Sequence, residues 1–310
     1  MSISEELHRR LSSLAPLSEE TLTLRGGGAL DYQRLGAPRR ELLIIANGLG
    51  ARLYAWLPLL PTLLERFEIV CWNYRDLFPP DGAALPSSGA LSIKGHGADL
   101  IELSEQLTQA KSEPPQLHLL GWSMGVQVCV SAAVQAPDRF QSLLLLNGCG
   151  GRVLGGAFRL SRRVPSGRWL LRPLLAQLQQ RAAGLRDLLS RGAALSPALV
   201  RAQALVGDPL LTLTLSQYLT DLSGERLGVY LELIQRLDED DPTQALEGLS
   251  IPATVISGQL DPLTPLFAGE SLSRLIGAAH ETLLGTHFLV FERPERLRAL
   301  VRRHFDAVLG

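Results

Sequence analysis

Gly121-Trp122-Ser123-Met124-Gly125 lies between an apolar run, Gln116-Leu117-His118-Leu119-Leu120, and a second apolar stretch that begins at Val126. The first run reads as a buried strand and the second as a helix, so the five residues must form a strand-to-helix turn. A serine at the tip of such a turn is lifted clear of the sheet. The flanking glycines let the strand and helix pack closely. The helix that follows offers its first backbone N–H groups, that of Met124 among them, to negative charge developing near the serine. A purely structural turn can carry the same five letters, so their meaning depends on what surrounds them.

Outward from this turn, apolar runs at 42–46, 68–72, 142–147 and 253–258 also read as buried strands. Helical patterns at 53–65, 95–111 and 124–136 separate them. Buried strands alternating with helices imply an α/β fold with a mostly parallel sheet covered on both faces. Residues 21–25 and 30–35 flank Gly26-Gly27-Gly28 and suit a leading antiparallel hairpin. A last strand is expected at 280–284, a last helix at 294–309, and an amphipathic helix over 1–14. Residues 79–89, rich in proline and glycine, read as a loop. The alternation stops after Cys149. Residues 150–249 show helical patterns and loops but no convincing strand, and strands resume at Ala253. The expected organisation is a core of 1–149 and 250–310 with a helical insert of 150–249.

Composition narrows the function classes. The chain has 310 residues, 46% hydrophobic and 20% charged, which suits one large buried core rather than disorder. Its formal net charge of -1 gives no reason to expect nucleic acid. Cys71, Cys129 and Cys149 are scattered, without a CxxC pair, and suggest neither a disulfide framework nor a zinc site. No apolar stretch reaches about 18 residues, so no membrane span is expected. The first residues do not read as a signal peptide, and the expected location is cytoplasmic.

A serine hydroxyl is a weak nucleophile that needs a base, and the base needs an orienting acid. Six histidines are available. His8 falls in the first helix, His118 inside a strand, His280 at a strand start and His304 on the outer side of the last helix. His96 opens a helix, as a cap or a pocket residue. His287, in Leu284-Gly285-Thr286-His287-Phe288, instead follows the last strand, at the edge where a parallel sheet collects reactive groups. Asp261, in Ser257-Gly258-Gln259-Leu260-Asp261-Pro262, also lies just past a strand end. A turn-capping role is its alternative. Asn47-Gly48-Leu49-Gly50 follows strand 42–46, and its glycines allow close backbone approach to a substrate. Leu49 and Met124 are the expected oxyanion donors, with Asn47, Gly48, Gly50 and Trp122 facing the substrate.

In these segments the chain resembles the α/β-hydrolase superfamily along nearly its whole length. Asn47-Gly48-Leu49-Gly50 is similar to its His-Gly-x-Gly oxyanion segment, with Asn for His. Gly121–Gly125 resembles its nucleophile elbow. The stretch from Gly258 to Pro265 resembles the acid-bearing segment, and Gly285-Thr286-His287 the histidine-bearing one. The resemblance implies an α/β-hydrolase fold, a Ser123-Asp261-His287 triad in that chain order, and a cap where the insert lies. It implies no metal and no organic cofactor. Ser123 in place of an aspartate speaks against haloalkane dehalogenase and epoxide hydrolase chemistry. Two departures stand out: Asn73-Tyr74-Arg75-Asp76 replaces the usual Asp-x-Arg-Gly, and Val126 replaces a frequent glycine.

The insert has a split charge. Residues 151–201 hold ten arginines and one acid, Asp187, whereas residues 202–250 hold nine acids and two arginines. The plain reading is that the halves pair with each other or form separate solvated faces. The sharper one is an anionic or carrier-linked acyl substrate. Leu170, Leu171, Leu174, Leu175 and Leu178 suit core packing and part of an acyl pocket. The expected function is hydrolysis of a carboxylic ester through an acyl-enzyme on Ser123. Thioesterase, lactonase, C–C hydrolase and acyltransferase chemistry use the same triad. A ligand-binding or scaffold protein without catalysis is the alternative of a different class.

Overall fold

The computed structural model describes residues 2–81, 91–109, 113–157, 168–181, 209–222, 227–239, 246 and 249–310. Among the described residues eight strands form one sheet in the order β1-β2-β4-β3-β5-β6-β7-β8. They are β1 Leu17–Thr23, β2 Ala29–Leu35, β3 Glu41–Ala46, β4 Glu68–Trp72, β5 Gln116–Trp122, β6 Ser142–Leu146, β7 Ala253–Gly258 and β8 Ala279–Leu283. The leading hairpin pairs antiparallel with itself and with β4, and all other neighbours are parallel. The chain passes from β3 to β4 on one side and then to β5 on the other. The carboxyl ends of β3 and β5 therefore flank the point where the order reverses, which is where open α/β sheets gather their ligands.

The helices are α1 Ile3–Leu14, α2 Leu60–Leu64, α3 Ile93–Thr108, α4 Met124–Gln135, α5 Val153–Gly156, α6 Arg168–Gln180, α7 Pro209–Leu222, α8 Leu227–Glu239, α9 Leu266–Leu275, α10 Leu289–Glu292 and α11 Pro294–Leu309. Strand side chains alternate between two cores. Leu42, Ile44 and Ala46 of β3 pack with Leu100 and Leu103 of α3 and with Val128 of α4. Leu43 and Ile45 pack with Leu7 of α1, Leu63 of α2 and Leu297 and Val301 of α11. Several helices begin where the sequence supplies a cap. Ser2 and Glu5 form a reciprocal capping box on α1, and Ser92 Oγ accepts the Gly95 N–H of α3 at 3.1 Å.

Two expectations need correction. The single helix expected over 53–65 is a 3-10 turn, Leu53–Trp56, followed by α2. Pro58 and Pro61 cannot sit inside a continuous helix, so the chain restarts. His304 does not face out of α11. It is 6% exposed, its Nδ1 lies 3.0 Å from Thr254 Oγ1, and its ring packs edge-on against Phe305. The buried residues of α11 are Leu297, Val301, His304 and Phe305, a helical stripe that takes the histidine inward with it.

Between β6 and β7 the regular elements among the described residues are α5 to α8. Helix α6 packs on α8, α8 on α5, and α7 on the N-terminal α1. Arg172 of α6 reaches Asp238 at 3.4 Å and Glu239 at 3.3 Å, so the basic and acidic halves meet at this point. Most of the arginine-rich stretch lies outside the described residues, as do residues 82–89 of the proline-rich loop. Among the described residues no helix is long and apolar enough to cross a membrane.

Burial pushes the His304 imidazole down to about 4, with neighbouring His118 adding to the effect. The unfolded chain binds that proton near the ordinary histidine value, so the contribution of neutral His304 is complete above pH 6.5 and disappears as pH falls toward 4. Over that window wild type should lose about 2–3 kcal/mol relative to His304→Leu in denaturant unfolding. A difference between the two proteins that stays constant from pH 7.5 to 4.5 would contradict this.

Candidate active site

The turn after β5 is held by backbone contact. Ser123 has φ 56° and ψ -118°, a sparsely populated conformation for a non-glycine residue, worth about 1–3 kcal/mol of strain. Its N–H donates to the Leu146 carbonyl of β6 at 3.0 Å. A Cβ on Gly121 would meet the Gly125 carbonyl oxygen at 2.6 Å, and one on Gly125 would overlap the Ala46 carbonyl of β3. Both glycines are therefore required by the crossing of α4 over the strand ends. Val126, the departure from the frequent glycine, is accommodated opposite Gly148, where any side chain would collide with the valine.

Ser123, Asp261 and His287, which end or follow different strands, meet in one hydrogen-bonded chain. His287 Nε2 lies 2.8 Å from Ser123 Oγ, and His287 Nδ1 lies 2.7 Å from Asp261 Oδ2. An ionised carboxylate only accepts, so Nδ1 carries the proton and Nε2 is left to accept from the serine hydroxyl. Asp261 and His287 are 4% and 6% exposed. The carboxylate takes further hydrogen bonds from Asn147 Nδ2 at 2.7 Å, Thr264 Oγ1 at 2.7 Å, and the N–H groups of Leu263 at 2.8 Å and Thr264 at 3.0 Å. Burial works to raise its pKa, but the hydrogen bonds from His287, Thr264 and Asn147 outweigh burial and hold it below the usual aspartate value.

The His287 loop is fixed from several sides. Trp122 Nε1 donates to the His287 carbonyl at 3.0 Å, and Asn147 Nδ2 to the Thr286 carbonyl at 3.0 Å. Glu292 accepts the Thr286 N–H at 2.6 Å and its hydroxyl at 2.5 Å. Gly258 lets the two loops close, because a Cβ there would meet the Thr286 carbonyl oxygen at 2.5 Å.

A cavity of about 370 Å³ opens over Ser123 and His287. Its walls include Leu49, Val153, Leu154, Leu171, Leu175 and Phe288, with Gly48, Trp122 and Met124 near the serine. Two of the expected substrate-facing residues are placed elsewhere. Asn47 is fully buried and its side chain turns into the core, donating to the Trp72 carbonyl at 3.1 Å and accepting from Trp56 Nε1 at 2.8 Å. Gly50 does not line the cavity. Its φ of +77° turns the chain beneath Tyr230 of α8.

Sequence reasoning missed Asn147, Thr264 and Glu292, which hold the acid and the histidine loop. Thr264 had a local signal, since Asp261-Pro262-Leu263-Thr264 can form an Asp-capped turn. Asn147 had a weaker one, a polar residue closing an apolar strand. His118 also lies 2.8 Å from Ser142 Oγ and 2.9 Å from Glu41 Oε2, a second Ser-His-carboxylate chain at the opposite edge of the sheet. Ser142 is 0% exposed there, so this chain can only lock the starts of β3, β5 and β6 together.

The family model described as alpha/beta hydrolase fold matches residues 41–294. The chain belongs to the α/β-hydrolase family. Within that hydrolase family it is similar to 3-oxoadipate enol-lactonase 2 of Acinetobacter baylyi, 26% identical over 280 residues, covering 89% of this chain and 92% of the relative. Its structure is similar to that of a hydrolase from Pseudomonas aeruginosa, TM-score 0.67 at 23% identity, over 93% of this chain and 98% of the other. A thermophilic esterase from Thermogutta terrifontis also has TM-score 0.67, at 18% identity, over 95% and 99%.

Asn147 has φ 45°, which glycine adopts more easily, so Asn147→Gly relaxes the backbone while removing both amide donors. Unfolding stability should still fall by about 1–3 kcal/mol, because the Asp261 and Thr286 acceptors are left short of a partner. An unchanged or raised unfolding midpoint would show that the carboxamide holds nothing.

Proposed function

We propose that this α/β-hydrolase family member is a serine hydrolase that cleaves an uncharged, apolar carboxylic ester through an acyl-enzyme on Ser123. The observation that carries this reading is the Ser123–His287–Asp261 chain of hydrogen bonds, 2.8 Å and 2.7 Å, on the floor of an apolar cavity. His287 takes the hydroxyl proton as Ser123 Oγ attacks the carbonyl carbon. The carbonyl oxygen becomes an oxyanion and is met by the N–H groups of Leu49 and Met124. As first residue of α4, Met124 has an N–H that the helix itself leaves without a partner. Collapse breaks the bond to the alkoxide, which leaves with the proton from His287. Water then gives its proton to His287 and attacks the acyl carbon, releasing the carboxylic acid and restoring Ser123. Asp261 stays ionised throughout and stabilises the imidazolium.

Residues 150–249 act in this reading as a cap over a core of 1–149 and 250–310. Its described residues Val153, Leu154, Leu171, Leu174, Leu175, Ile234 and Leu237 supply most of the apolar wall. Among the described lining residues none is Arg, Lys, Asp or Glu. Among the described residues a carboxylate-bearing acyl group would find no charged partner there to offset its desolvation, which is costly. The enol-lactonase relative thus supports acyl–oxygen cleavage, while the cavity favours a neutral chain over the dicarboxylic skeleton named in that relative.

Ser123→Ala should lower kcat by about 10⁴–10⁶ with the fold intact, and near-normal turnover would sink the assignment. On p-nitrophenyl esters, kcat/KM should rise about fourfold for each methylene added until the cavity is full. An ester ending in a free carboxylate should react far more slowly than its methyl-ended equivalent of the same length. Equal rates would point to a cation reaching the cavity.

A further inference from the structure

We infer that Tyr218 is a positioning residue that sets the oxyanion turn, so that docking of the cap and assembly of the oxyanion site are one event. This rests on the reading of Ser123 as nucleophile. The segment after β3 closes a four-residue turn, with the Ala51 N–H donating to the Gly48 carbonyl at 3.0 Å. Gly50, its third residue, has φ +77°, and Leu49 is not among the positive-φ residues, which together define a type II turn. Type I and type II turns differ by a flip of their central peptide, here the Leu49–Gly50 unit, and glycine at the third position tolerates either. The Tyr218 hydroxyl, from α7, donates to the Leu49 carbonyl at 2.9 Å and so selects one orientation of that peptide. The Leu49 N–H belongs to the preceding Gly48–Leu49 peptide, and the hold on the Leu49 carbonyl fixes that proposed donor through the Leu49 backbone the two peptides share.

Two further contacts tie this turn to the cap. The Tyr230 ring of α8 sits where a Cβ on Gly50 would be, with its Cζ 2.8 Å from that position, so the turn is pressed from above. One helical turn beyond Tyr218, Asp221 accepts the Tyr54 hydroxyl at 2.7 Å and Gln217 Nε2 at 2.8 Å. Helix α7 therefore grips the segment from Leu49 to Tyr54 at two points. Tyr218 also lines the cavity, and burial pushes its phenol up to about 12, so it remains a donor at any working pH. Among the cap contacts on this segment, only that of Tyr218 is a hydrogen bond to the proposed oxyanion turn itself, as far as the described residues go. A fold that needed only a hydrophobic lid would have no use for that hydroxyl.

The test is Tyr218→Phe, which keeps the ring in the cavity wall and removes the donor. Wild type and variant are compared on p-nitrophenyl butyrate, with active sites counted by a fluorophosphonate probe. Their affinities are also measured for a butyl trifluoromethyl ketone, which forms a tetrahedral adduct on serine, and for butanol, which does not. Per titrated site, kcat should fall about tenfold or more with KM little changed. Ketone affinity should fall by the same factor and butanol affinity should stay the same. Wild-type kcat and ketone affinity in the variant would overturn the inference, as would a lowered melting temperature with kcat per site unchanged. If wild type is not labelled at all and Ser123→Ala remains active, it is the serine reading beneath the inference that falls.

Discussion

The closeness with which α4 crosses the ends of β3 and β5 is the constraint on which the rest of the site depends. Gly125 touches the Ala46 backbone and Gly121 touches Gly125, so no side chain fits at either position. That contact forces Ser123 into a positive φ, and its N–H is bonded across to β6. The hydroxyl then projects beyond the sheet edge instead of folding back along α4. The strain is small beside the packing that imposes it, since Val126, Val128 and Val130 of α4 are all fully buried against the sheet.

Once the serine is fixed, the other two groups must come to it from β7 and β8. A buried carboxylate needs several donors to remain ionised. Asp261 has them, and three donors converge on the single oxygen Oδ2: His287, Asn147 and Thr264. Asn147 directly follows β6, which lies between the serine strand and the aspartate strand, and its carboxamide serves the acid loop and the histidine loop together. Geometry that looks like three separate loops is thus one cross-linked edge. The absence of a side chain at Gly258 is as much a part of that edge as any hydrogen bond.

What could be read from the sequence follows from how far each signal reaches along the chain. Apolar runs mark β3 to β7 because a strand buried on both faces is locally apolar, and Pro294 fixes the start of α11. Ser123, Asp261 and His287 stand out because each lies at or shortly past a strand end and local residues demand a turn there. The Asn47 side chain was misplaced because its environment, Trp56 and Trp72, is created by two other segments meeting behind it. Tyr218 gives no signal and Asn147 only a weak one for the same reason, since their partners lie 169 and 114 residues away. His304 is a different failure. Its stripe with Leu297, Val301 and Phe305 is visible at helical spacing, but a histidine near the end of a charged helix reads as polar until the stripe is traced.

The division of labour between the two parts of the chain has a physical basis. The acid and histidine loops are held by the sheet edge and its own loops, with Asn147, Thr264, Glu292 and Trp122 all outside residues 150–249. The cavity wall and the turn at Leu49 are instead completed by the helices between β6 and β7. Side chains such as Leu171 or Ile234 can therefore change the shape of the pocket without disturbing the Ser123–His287–Asp261 hydrogen bonds. Tyr218 sits where these two requirements overlap: it shapes the wall through its ring and reaches the core through its hydroxyl. A substitution there alters the cavity wall and the turn at Leu49 together, whereas a substitution at Leu175 alters the wall alone. The short-range order around Ser123 comes from glycines packed against backbone, and such contacts leave little room to vary. The cavity wall comes largely from leucines on helices, which can exchange for one another at modest cost.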